Sequence, residues 1–278
     1  MATAGGRYTD VMFERRQVGV PLLVIAMVVV TCVWIGGRAD DEVASRTPAT
    51  CRARGCYCEA VAVAGVRQPI NAWSSLAPAL AGACVLALAL GRRPAGSSRL
   101  ARSRTPGVLL ALAASGIAVF SFHYHATLTW VGEWLDGVAL YLLAGFPIAG
   151  AIVHPTGRAG WRFAAVYVAV AAAPAGASWL VPALRKPAFL ALAAISIAVV
   201  LARRSRTNGT GDRWLALAVG SFAIAMVAWI LDATRTVCEP TSSLHLHALW
   251  HLLSAPTIIA LDRHAAADRA IGALAPTR

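Results

Sequence analysis

QVGVPLLVIAMVVVTCVWIGG, residues 17–37, runs without a charge between Arg16 and Arg38. About 20 apolar residues are what a helix needs to cross the hydrocarbon of a bilayer. The stretch has no strand-like alternation, and in lipid every backbone polar group must be bonded internally, so it reads as a membrane helix. Working outward, further uncharged runs lie between Arg67 and Arg92, Arg104 and Glu133, Asp136 and Arg158, Arg162 and Arg185, and Lys186 and Arg203. Two more run from Trp214 to Leu231 and from Pro240 to Leu261, making eight. Pro174 is expected to kink the fifth. The composition agrees: 58% of the 278 residues are hydrophobic and 14% charged, where a soluble domain carries about 25% charge. The fold class that follows is all-α, a polytopic transmembrane helix bundle, with no internal repeat.

The formal charge of +12 invites a nucleic-acid partner, but the positions of the charges exclude one. With a cytoplasmic N-terminus, the inner segments hold 17 of the 25 basic residues, among them Arg15, Arg92, Arg104, Arg158, Arg204, Arg213 and Arg263. That split satisfies the positive-inside rule and predicts both termini cytoplasmic in an integral, multi-pass membrane protein. Cys51, Cys56, Cys58 and Cys238 then all fall outside, where disulfides persist, and one or two bridges are expected to tie the loop after the first helix to the loop before the last. Cys32 and Cys84 lie inside apolar helices and read as small buried thiols. The first run is long for a signal sequence and has no small-x-small cleavage site, so it reads as a retained anchor.

Chemistry collects at that outer face. His247 and His251, in HALWH, are four apart and share a helix face. His125 ends the third run, with Ser121 one turn below it, and Asp136 opens the next helix. A lone histidine near a helix end is more often an interfacial residue than a ligand. An i, i+4 pair joined by a third histidine and a carboxylate at one depth is better read as a metal site, because ionisable groups in a membrane segment are costly and normally functional. Three imidazoles leave an open coordination position, the catalytic pattern for zinc. His123 points away from His125, His154 and His264 fall on the inner side, and His245 lies at the interface. Asp232 and Arg235 read as an interfacial ion pair.

At these residues the sequence resembles the alkaline ceramidases, whose superfamily includes the adiponectin receptors and the Per1 proteins. Ser121, His125, Thr127, Leu128 and Asp136 meet one family motif. His247, Trp250 and His251 meet a second, and Asn71 with Ser74 or Ser75 a third. The resemblance implies a seven-helix core plus one extra N-terminal helix. Residues 1–55 form a cytoplasmic segment, the extra helix and an outer loop, residues 56–262 the ceramidase-like membrane domain, and 263–278 a cytoplasmic tail. It also implies that His125, His247 and His251 hold Zn2+, that Ser121 and Asp136 are catalytic, and that the substrate is a membrane lipid, ceramide or another N-acyl lipid. The sequence departs from the acidic calcium-binding stretch of the eukaryotic members: CYCEA keeps Glu59 but puts Cys56 and Tyr57 where Asp and Trp stand, and Gln68 replaces a later Glu. Disulfides are expected to supply the rigidity that calcium supplies there. The Arg-rich, almost Lys-free composition points to a bacterial plasma membrane.

The leading function is therefore zinc-dependent hydrolysis of a lipid amide. The other class is a receptor-like or structural protein whose zinc organises the bundle without turnover. Ser121 and Asp136, which a structural three-histidine site does not need, favour the enzyme. A transporter is disfavoured by the missing inverted repeat.

Overall fold

The computed structural model describes residues 4–53, 55–91, 103–153, 160–203 and 210–272. Among the described residues there is no strand, only an isolated bridge between Pro48 and Thr129. The helices are α1 (Ala4–Gly37), the short α2 (Ala39–Ser45), α3 (Pro69–Ser74), α4 (Ala77–Gly91), α5 (Thr105–Thr127) and α6 (Trp130–Val153). They continue with α7 (Gly160–Leu180), α8 (Arg185–Ala202), α9 (Thr210–Ala233) and α10 (Leu246–Gly272). Seven spans of the described residues are long and apolar enough to cross a bilayer: Gln17–Gly37, Pro69–Gly91, Thr105–Thr127, Trp130–Val153, Gly160–Leu180, Pro182–Ala202 and Gly211–Ala233. The chain is an integral, multi-pass membrane protein. Most of the arginine-bearing loops expected on the inner side, and His154, lie outside the described residues.

The eighth apolar run is helical but displaced. α10 starts at Leu246 rather than Pro240 and continues through Asp262 and Arg263 to Gly272, taking in most of the expected tail. It is also less apolar than the seven spans, because His247, His251, Asp262 and His264 are all carried on it and all buried in the bundle. The second run is not one helix. Pro78 has no N–H to bond the Ser74 carbonyl, and the chain breaks between α3 and α4 at Ser75 and Leu76. Helix α7, by contrast, runs unbroken past Pro174.

α5 lies at the centre, in contact with α1, α3, α4, α6 and α7. Close approach depends on small residues, as expected where lipid offers no hydrophobic drive between helices. A Cβ on Gly82 of α4 would sit 2.9 Å from the Ala111 carbonyl oxygen and 2.9 Å from Ala114 Cβ of α5. α1 stands at the periphery, turning Val18, Leu22, Leu23, Val30 and Val33 outward.

The turn from α5 to α6 positions two motifs at once. Leu128 takes a left-handed conformation (φ 47°) and its N–H caps Tyr124 O at 2.7 Å. Its side chain is fully buried against Ala49, Cys56 and Tyr124. Thr129 then caps α6, its Oγ1 accepting the Gly132 N–H at 3.3 Å. The orphan carbonyls at the end of α5 are taken by the incoming loop, Arg67 N–H bonding Ala126 O at 3.0 Å and Gln68 N–H bonding His125 O at 2.9 Å.

Two disulfides form, and one of them ties the two loops as expected, while the other closes within the first loop. Cys51 pairs with Cys56, and Cys58 with Cys238 across 180 residues of sequence. Cys32 is buried as expected, but Cys84 is exposed on the outer face of α4. In denaturant, mass spectrometry after alkylation should count two labelled cysteines before reduction and six after. Six in both states would remove the bridges.

Candidate metal centre

α5 and α10 bring His125, His247 and His251 together, each at most 2% exposed, with one ring nitrogen from each within 4.8 Å of the others. His125 Nε2 and His247 Nε2 are 3.0 Å apart. Which nitrogens carry protons is settled by their neighbours. Gln68 Nε2 donates to the carbonyls of Cys56 and of Glu59, the latter at 3.1 Å, so its Oε1 faces His125 Nδ1 at 2.9 Å. Nδ1 of His125 is therefore the donor, and in the neutral ring Nε2 keeps a bare lone pair. Ser74 Oγ donates to Asn71 O at 3.0 Å and so accepts from His251 Nδ1 at 2.9 Å, which leaves His251 Nε2 bare as well. Two lone pairs are thus turned into one small buried space beside a third imidazole. That donor set fits a zinc ion, with outer partners of the kind that orient metal-binding histidines.

The third histidine is held by the backbone and by stacking. Asp232, fully buried at the end of α9, accepts the His247 N–H at 3.0 Å through Oδ2 and the Cys58 N–H at 2.8 Å through Oδ1. This corrects the expected Asp232–Arg235 ion pair. Arg235 turns instead to the Tyr57 carbonyl, at 3.0 and 3.1 Å. A buried carboxylate at a helix start binds N–H groups, and α10 offers its first turn. Tyr57 stacks on His247 with ring centroids 3.7 Å apart. Its backbone is left-handed (φ 63°), held between Cys56 and Cys58, each in a different disulfide. Burial pushes its phenol well above the usual range, so it stays protonated. Glu59 accepts N–H groups from Ile70 (2.7 Å) and Asn71 (2.9 Å) and so caps α3. Burial raises its carboxyl above the usual carboxylate range, and those two bonds pull it back.

Ser121 and Asp136 meet as their spacing suggests: Ser121 Oγ donates to Asp136 Oδ1, tying α5 to α6 one turn from His125. His123 points away, to Glu42 at 3.5 Å, and His264 bonds Gly211 O at 3.1 Å far along α10. His245 is buried in the protein just before α10. Of the two candidate serines, Ser74 touches the site, while Ser75 bonds Ala72 O and Ala118 O. Asn71 is fully buried, and its side-chain amide has no hydrogen-bond partner among the described residues. Gln68, Tyr57 and Asp232 escaped the sequence reading as site residues. Only the cost of an Asp at a membrane helix end could have flagged one of them.

Two cavities lie one after the other along α6 and α8 and share Phe189 as a lining residue. The first, about 660 Å3 with its open mouth, is lined on α6 by Glu133, Asp136, Gly137 and Leu140, and by Tyr57, which stacks on His247. The second, about 520 Å3, continues down the same face of α6 through Leu143, Ala144 and Pro147. On α8 the lining passes from Arg185 and Lys186 to Phe189, which borders both, then Ala193, Ile197 and Val200. Phe189 to Val200 is ~16 Å of helix.

No curated protein is similar enough to the chain to count as a match. A family model described as Ceramidase does match it, over residues 57–262. That span takes in Tyr57, all three histidines, Ser121 and Asp136, and with most of its length so matched the chain belongs to the ceramidase family.

Proposed function

We propose that the protein is a zinc-dependent intramembrane hydrolase that cleaves the amide bond of ceramide or a related N-acyl lipid. The observation that carries the reading is the pair of lone pairs, on His125 and His251, committed to one buried space by Gln68 and Ser74. When bound there, zinc supplies Lewis acidity toward a carbonyl oxygen and toward water. The chain's own residues supply the rest. Asp136, whose Oδ1 is engaged by Ser121, takes a proton from the attacking water and returns it to the nitrogen as the C–N bond breaks. The products are a fatty acid and an amine. Ser121 holds the carboxylate in place, and the apolar length of the groove takes the acyl chain.

The test is incubation of the purified protein with a mixed N-acyl lipid extract, with and without chelator, and mass spectrometry of the products. Fatty acid and free amine should appear together and stop with chelator. If neither appears from any lipid, the receptor-like or structural alternative replaces the enzyme. Gln68→Ala frees the His125 ring to turn, so zinc affinity should fall roughly 10- to 100-fold in chelator competition; unchanged affinity would remove the orienting role. Both termini are proposed to be cytoplasmic, with the disulfides and the metal site at the outer end. A reporter fused after Arg278 should give the cytoplasmic signal, and an external signal would invert the topology.

A further inference from the structure

We propose that the polar end of the groove is an anion subsite, so that the preferred substrate carries a phosphate, sulfonate or carboxylate on the amine side of its amide. This rests on the amide-hydrolase reading above. Arg185 opens α8 and lines the same cavity as Asp136, yet is only 7% exposed. One guanidinium nitrogen, Nη1, meets Glu133 Oε2 at 2.6 Å, and the group lies over Trp130, 4.7 Å from the ring centroid. Nε and Nη2 are buried and have no hydrogen-bond partner among the described residues. Glu133 has little left to give, because its oxygens also accept Thr50 N–H (2.8 Å) and Thr50 Oγ1 (2.6 Å). Lys186, next in sequence, lines the cavity too. Among the described residues no acidic side chain pairs with it, and its Nζ lies 5.7 Å from the Trp229 ring centroid.

A buried guanidinium with unmade hydrogen bonds is costly, and the group that satisfies it best is an anion offering two oxygens. The order of residues along α6 says which part of a substrate carries that anion. Glu133, the partner of Arg185, is one turn to one side of Asp136, and Leu140 is one turn to the other, with the apolar cavity beginning just beyond it at Leu143. A lipid with its chain in the apolar length and its amide at Asp136 presents its amine substituent to Arg185 and Lys186. Three residues of helix are ~4.5 Å, so the anion sits within a few bonds of the nitrogen. The released fatty acid is also an anion, but its carboxylate forms at Asp136, on the other side of the scissile bond.

The experiment compares ceramide with its 1-phosphate, identical in acyl chain, in neutral detergent micelles with the zinc-loaded protein. The phosphate should be favoured in kcat/KM by about ten- to a hundredfold. Lys186→Gln, at an exposed position, should cut that preference about tenfold, and Arg185→Gln should do the same if it folds. The product carboxylate is common to both lipids and cannot move the ratio. A ratio near one in the parent, or one that Lys186→Gln leaves in place, would overturn the subsite. Binding of fluorescent versions of both lipids to zinc-free protein gives the same ratio without turnover. If neither lipid is cleaved, the hydrolase reading fails while the binding ratio still decides the subsite. Inorganic phosphate is the last arm: weak competition is expected, and competition as strong as the lipid phosphate would mean a free-ion site and end the proposal.

Discussion

His251→Ala should leave a protein without stoichiometric zinc and without measurable lipid hydrolysis. The side chain is 1% exposed and its Nε2 is one of the two lone pairs fixed by a neighbour, here Ser74. Two imidazoles do not hold zinc with comparable affinity, and a metal bound at three ligands rather than four or more is already the open, catalytic arrangement. Metal content by elemental analysis and rate on the same preparation read the result. His123→Ala is the matched control, since that ring faces Glu42 and should keep its zinc. Full zinc occupancy in His251→Ala would mean that the cluster is not the metal site.

Asp136→Asn should separate metal from turnover. The amide oxygen can still accept from Ser121, so the tie between α5 and α6 survives, but the group that takes the proton is gone. Zinc should remain while kcat falls roughly 10²- to 10⁴-fold, the usual worth of a general base. An undiminished rate at full occupancy would sink the base assignment and leave Asp136 as a structural partner of Ser121.

The spans and the histidine cluster were legible because each depends on spacing along one chain segment. Charge-free runs of about 20 residues have few other uses, and His247 and His251 share a face wherever a helix forms there. What orients the histidines was not legible, because it depends on which loop returns to which helix end. Gln68 reads as a departure from an acidic motif until its amide is seen fixed between two carbonyls and His125. Asp232 reads as one half of an ion pair with Arg235, three residues on, until α10 and the Tyr57 loop bring two N–H groups to it. The choice between Ser74 and Ser75 turned on the break that Pro78 imposes, which faces them in different directions.

The Cys58–Cys238 bridge has a consequence for how the protein is made. Of the residues that build the centre, Gln68, Ser74, Ser121, His125 and Asp136 are synthesised in the first half of the chain, but His247 and His251 come last. Asp232 cannot accept the His247 N–H until α10 has been made, and the loop carrying Tyr57 is not tied to the segment before α10 until Cys58 and Cys238 are oxidised. A nascent chain thus holds Ser121 and Asp136 together before the histidine cluster is complete. The bond therefore closes late, joining the loop that carries Tyr57 to the segment that leads into α10 and its two histidines.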